Sequence, residues 1–161
     1  MDEVIKVGMA DWRTSLHPAT LMTLGLGSCV GVCLYESKKK IIGLAHVMLP
    51  DSSQVRSNTN RAKFADTGIA DMIQEMVKMG ADIRCLTAKI AGGAQMFAYS
   101  SSSDIIRVGA RNAESTRDIL KNYKIPLIAD DTGGSFGRTI EFNSTDGALM
   151  IKTIGHGIHY L

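Results

Sequence analysis

The feature that most constrains this chain is a succession of short apolar runs broken by glycine, followed by two stretches with helical spacing. Leu21 to Leu26, Val30 to Tyr35 and Ile41 to Met48 are rich in apolar residues and separated by Gly25, Gly27 and the polar turn Glu36-Ser37-Lys38-Lys39-Lys40. Runs of that length bounded by turn residues read as strands, and the last two have the spacing of a hairpin. A weaker alternation over Val4 to Met9 suggests one more strand, after which His17-Pro18 punctuates a loop. From about Arg61 to Met79, Ala65, Ile69, Met72, Ile73, Met76 and Val77 recur every three or four residues, and Gly80 stands where a C-terminal cap belongs. A second helix over about Ala110 to Tyr123 presents Ala113, Thr116, Leu120 and Tyr123 on one side, and Pro126 stops it. Further strands are expected at Cys85 to Ala91, Leu127 to Ala129, Thr139 to Phe142 and Leu149 to Ile154, with Gly133-Gly134 and Asp146-Gly147 as turns, the latter suited to a tight hairpin.

Two helices among about eight short strands predict an α+β fold, a layered α/β sandwich of mixed, largely antiparallel sheets with the two main helices packed on the outside. At 161 residues the chain fits one domain, residues 1–161. Eighteen Lys and Arg against sixteen Asp and Glu are scattered rather than gathered, which argues against nucleic acid as a partner. Met1 to Val4 lacks the start of a secretory signal and no stretch approaches a membrane span, so a cytoplasmic location and no direct membrane insertion are expected.

Cys29, Cys33 and Cys85 are too few and too unevenly spaced for a disulfide framework and read as free thiols. Cys29 stands apart from the other two because glycines flank it in Thr23-Leu24-Gly25-Leu26-Gly27-Ser28-Cys29-Val30-Gly31. Glycine lets backbone or substrate approach closely, so this loop is a candidate for exposing the sulfur and aiming the backbone N–H groups of Ser28 and Cys29 at one point, an oxyanion hole. A thiol with a pKa near 8.5 needs a base to become a nucleophile at neutral pH. His46, a polar residue within the apolar run Gly43 to Pro50, is the natural one. By residue type alone, however, Cys29 reads more readily as a buried core thiol and a lone strand histidine as structural, so both readings stand at this point. Cys33 and Cys85 read as core residues, and His17, His156 and His159 carry no assigned role. Gly92-Gly93-Ala94 and Asp131-Thr132-Gly133-Gly134 lack the rest of a phosphate-loop pattern and read as turns. Asp130-Asp131 reads as a solvated turn, and no metal site is expected. The loops Ser52 to Asn60 and Met96 to Asp104 are candidate rims of a substrate site, with Ser100 to Ser103 a flexible connection.

Thr23 to Val30 and Ala45 to Ser52 resemble the signature of the CheD family of chemoreceptor glutamine deamidases. Arg61 to Asp66, Ala88 to Ala94, Gly109 to Asn112 and Asp131 to Gly134 resemble the family's later blocks in the same order. The resemblance implies a Cys-His active site with a Thr as third member, carried by Cys29, His46 and Thr23. It implies hydrolysis of receptor glutamine side chains to glutamate and ammonia through a Cys29 thioester, with no cofactor. Chemoreceptor cytoplasmic helices would be the substrate, and a CheC-type chemotaxis phosphatase a second partner that the protein regulates. The alternatives are a transglutaminase or thiol protease using the same Cys-His pair, or a regulatory binding module of the chemotaxis pathway with little catalysis.

Overall fold

The computed structural model describes residues 3–54, 60–95 and 107–161. Much of both candidate rim loops, and the serine run, falls outside the described residues. Within them lie ten strands and two α-helices: β1 Glu3–Lys6, β2 Asp11–Leu16, β3 Ala19–Leu26, β4 Val30–Glu36, β5 Ile41–Val47, α1 Ala65–Lys78, β6 Leu86–Gly92, α2 Val108–Asn122, β7 Leu127–Thr132, β8 Arg138–Asn143, β9 Leu149–Thr153 and β10 Gly157–Tyr160. The strands form two five-stranded sheets, ordered β1-β3-β8-β9-β10 and β2-β5-β4-β6-β7. Pairing is antiparallel except for β1 with β3 and β6 with β7. This is the expected mixed, largely antiparallel layered sandwich.

The layers follow from the side-chain alternation of the central strands. Val30, Val32 and Leu34 of β4 join Ile41, Ala45 and Val47 of β5 in a core with Ile69, Met72 and Met76 of α1 and Leu120 of α2. The alternate residues, Cys33, Ile42 and Leu44, turn the other way and pack on Leu21, Ile140, Phe142 and Ile151 of the first sheet. Strands covered on both faces read as unbroken apolar runs, which is why β4 and β5 stand out in the sequence. Each such side chain contributes roughly 1.5–3 kcal/mol relative to its exposed state, and this burial offsets the cost of the polar groups set among them. Gly31 leaves room for the tip of Ile140 from the first sheet: a Cβ there would lie 2.6 Å from Ile140 Cδ1.

Several elements differ from expectation for identifiable reasons. β2 occupies a segment that reads as loop, because it is a half-buried edge strand of polar sequence, Asp-Trp-Arg-Thr-Ser-Leu, held by its ladder to β5. β10 is exposed along its length and owes its form to pairing with β9. The first helix is shorter than its periodicity: Arg61–Lys63 is a 3₁₀ turn whose Asn60 side chain accepts the Ala62 N–H, and extended, buried Phe64 separates it from α1. Val77 and Tyr123, expected on packed faces, are 45% and 36% exposed. Asp146-Gly147 sits in a longer connection, where Asn143 O accepts from Gly147 N and Asp146 Oδ1 from Ala148 N, rather than in a two-residue hairpin. Asp130 and Asp131 belong to β7, not to a turn. Asp130 bonds Arg117 at 2.8 Å, and Asp131 lies 3.1 Å from His159 and 3.5 Å from Arg138.

Candidate active site

Thr23 and His46 meet between the two sheets. The ladder of β3 with β8 slips between Thr23 and Leu26, where Gly25 takes φ 70°. That bulge ends a regular stretch in which Ala19, Leu21 and Thr23 all face inward. His46 is the next inward position of β5 after Ile42 and Leu44, and both it and Thr23 are fully enclosed. Their side chains hydrogen-bond across the gap, Thr23 Oγ1 to His46 Nδ1, at 2.7 Å.

A second contact of the same hydroxyl decides where the imidazole proton sits. Thr23 Oγ1 donates to the Val7 carbonyl at 2.7 Å. A hydroxyl has one hydrogen and a carbonyl can only accept, so at Nδ1 the threonine oxygen must be the acceptor and the histidine the donor. Neutral His46 is thereby the Nδ1–H tautomer, with its lone pair on Nε2. Among the described residues Nε2 has no hydrogen-bond partner. Burial lowers the His46 pKa from 6.5 to about 4, so the ring is neutral and Nε2 carries no proton across the physiological range.

Cys29 lies two residues before Gly31, which faces His46 across the β4–β5 ladder. The thiol belongs to the same inter-sheet cluster as Cys33, Ile42 and Leu44. Cys29 immediately precedes β4, so the thiol and the imidazole both lie between the two sheets at the end of the β4–β5 ladder. They are not hydrogen-bonded to each other. Catalytic hydrogen bonds often tighten only in the substrate complex. Burial pushes the Cys29 thiol up, against a smaller downward pull from its own backbone N–H, which lies against the sulfur. Thiol and imidazole are therefore both neutral at rest. Cys29 is 7% exposed, less open than its glycine-rich loop suggested, whereas Cys85 is half-buried rather than core. Cys33 is fully enclosed, and burial raises its pKa strongly.

The loop that carries Cys29 is pinned from behind through three successive carbonyls. Gly27 O accepts from Ala94 N and Cys29 O from Gly93 N, both at 2.8 Å. Ser28 O accepts from Asn112 Nδ2 at 2.9 Å. Gly92, at φ 109°, permits this approach, since a Cβ there would lie 2.3 Å from Cys29 O. Gly92 is the last residue of β6 rather than part of a turn, and the Gly92-Gly93-Ala94 segment supports the loop that carries Cys29. Sequence reasoning missed this support and the part played by the Val7 carbonyl, which has no side-chain signature. Asn112 carried a signal that was available: a short polar residue on the same helical face as Ala113, Thr116 and Leu120.

The model of the family described as CheD chemotactic sensory transduction matches residues 48–153 of this chain, a span that begins after His46. Similarity to individual proteins extends further. The probable chemoreceptor glutamine deamidase CheD of Caldanaerobacter subterraneus subsp. tengcongensis is 52% identical over 159 residues, 99% of this chain and 98% of that protein. The probable chemoreceptor glutamine deamidase CheD of Lachnoclostridium phytofermentans is 54% identical over 155 residues, 96% of each. The chemoreceptor glutamine deamidase CheD of Halalkalibacterium halodurans is 48% identical over 158 residues, 98% of each.

Proposed function

The chain belongs to the CheD family, and from that membership we propose that it is a chemoreceptor glutamine deamidase in which Cys29 is the nucleophile, His46 the base and Thr23 the residue that orients the base. The observation that carries this reading is the Thr23–His46 contact, which leaves an unpartnered Nε2 lone pair between the two sheets, where the thiol also lies. Nε2 takes the Cys29 proton as the sulfur attacks the side-chain carbonyl carbon of a receptor glutamine. Because thiol and imidazole are neutral at rest, the proton moves with the attack rather than before it. A C–S bond forms, and the carbonyl oxygen becomes an oxyanion facing the backbone N–H groups of Ser28 and Cys29. As the tetrahedral intermediate collapses, the C–N bond breaks and His46 returns the proton to the departing ammonia. Water, deprotonated by the same Nε2, then attacks the thioester. Glutamate leaves with the water oxygen, and the thiol is restored.

Among the described residues no helix is long and apolar enough to cross a membrane. The proposed substrate, the cytoplasmic helices of receptors, places the reaction in the cytoplasm. The CheC-type phosphatase is retained as a second partner on the family resemblance. A receptor fragment supplied with and without a competing primary amine tests the reaction class. Ammonia release with glutamate as product is the expected result. Amine incorporation in place of hydrolysis would make the protein a transglutaminase.

A further inference from the structure

Asn112 is fully buried on α2 and reaches past the helix packing to two backbone carbonyls, Ser28 O and Met48 O, each at 2.9 Å from Nδ2. Both neighbours can only accept, so the amide nitrogen must face them, which fixes the orientation of the side chain. One carbonyl immediately precedes the nucleophile and the other lies two residues beyond the base. α2 is brought to them by Gly109, where a Cβ would stand 2.3 Å from Ala94 O, and by Ser115 Oγ, which donates to Pro50 O at 2.8 Å.

The consequence lies in the peptide plane between Ser28 and Cys29. This peptide is trans, since the one cis bond among the described residues is His17-Pro18. In a trans plane C=O and N–H point in opposite directions. By holding the Ser28 carbonyl towards α2, Asn112 turns the Cys29 N–H the other way, towards the sulfur. We propose that Asn112 is a positioning residue for the oxyanion hole: it sets the plane whose N–H stabilises the oxyanion formed at Cys29, and through Met48 it ties that plane to the strand carrying His46. This rests on the active-site assignment above. It adds a residue that touches neither substrate nor reacting atoms, and whose removal should impair reactions that pass through an oxyanion while sparing those that do not.

Two reactions of the one thiol separate these effects in the full-length protein. Acylation by p-nitrophenyl acetate forms the Cys29 C–S bond and expels nitrophenolate through a tetrahedral oxyanion. Alkylation by iodoacetamide displaces iodide with no oxyanion. Rates at Cys29 are read by peptide mass spectrometry for the wild type, Asn112→Ala and Asn112→Asp. The ratio of acylation to alkylation should fall about tenfold or more in Asn112→Ala, short of the roughly 10²–10³-fold that follows outright removal of an oxyanion donor, because the Cys29 N–H remains and only its orientation is released. Asn112→Asp keeps the shape of the side chain and so protects against a folding failure, but at high pH it sets a carboxylate oxygen against two carbonyls. Its ratio should be low near pH 8 and recover towards about pH 5.5, as the buried carboxyl protonates and regains a donor. A ratio in Asn112→Ala equal to wild type would overturn the proposal, as would an Asn112→Asp loss indifferent to pH. Neither reagent contains glutamine. A wild type that acylates normally yet releases no ammonia from a receptor fragment would therefore remove the deamidase reading and leave the role of Asn112 standing.

Discussion

Replacing Thr23 by valine removes one hydroxyl at nearly constant volume and exposes its two tasks separately. In the native protein that hydroxyl satisfies the Val7 carbonyl and the His46 Nδ1–H, both at 2.7 Å. Valine leaves both buried groups without a partner, at about 1–3 kcal/mol each, so the variant should lose roughly 2–6 kcal/mol. Domains typically hold about 5–15 kcal/mol, so the protein stays folded unless the loss is at its upper end and the stability at its lower end, and circular dichroism of the variant checks this before rates are compared. The chemical effect is more specific. With no acceptor at Nδ1, an imidazole proton costs less on Nε2, and the tautomer that results has no lone pair on Nε2 to accept a proton. Loss of a general base removes about 10²–10⁴ in rate, and since the minor tautomer remains accessible, kcat in Thr23→Val should fall by the lower figure, about 10²-fold. Thr23→Ser keeps the hydroxyl and should stay within a few-fold of wild type. Ammonia release gives the rates, and nitrogen-15 shifts of the His46 ring give the tautomer directly. An Nε2–H tautomer in the wild type, or a Thr23→Val protein with unchanged kcat, would refute the reasoning.

The remaining expectations concern pH and the thiols. Because burial holds His46 near pKa 4, the acid limb of kcat/KM should fall near pH 4, and an inflection at about 6.5 belonging to His46 would contradict its enclosure. Between pH 6.5 and about 4 the unfolded chain carries a proton on His46 that the folded protein does not, so the stability contributed by this site is present above pH 6.5 and lost as pH falls to about 4. That interval corresponds to about 3 kcal/mol, visible in denaturant titrations as a steeper loss for wild type than for His46→Asn; parallel curves would disprove it. In native buffer Cys85 should alkylate readily and Cys33 should not, and labelling of Cys33 before unfolding would show that the sheets separate.

What was legible in the sequence follows from which surfaces bury which residues. β4 and β5 were plain because both faces are covered, and α1 because Ile69, Met72, Ile73 and Met76 repeat on its buried face. β2 and β10 were not, since edge strands held by backbone pairing need no apolar alternation. At the candidate site the glycine-rich loop marked Cys29, and the polar residue in an apolar run marked His46. Thr23 entered by resemblance alone, because a threonine in a strand is unremarkable until a buried imidazole lies 2.7 Å away. The Gly92-Gly93-Ala94 segment at the end of β6 and the Asn112 side chain act on backbone carbonyls of the loop that carries Cys29. Contacts of that kind depend on tertiary approach and leave little trace in residue type.

Mass spectrometry of receptor cytoplasmic fragments incubated with wild-type protein and with Cys29→Ala tests the central claim most directly. The wild type should convert particular glutamines to glutamates, and the folded variant, lacking the nucleophile, should leave the same fragments unmodified over the same time. Equal conversion by the two proteins would show that Cys29 is not the nucleophile, and no conversion by either would contradict the deamidase assignment itself.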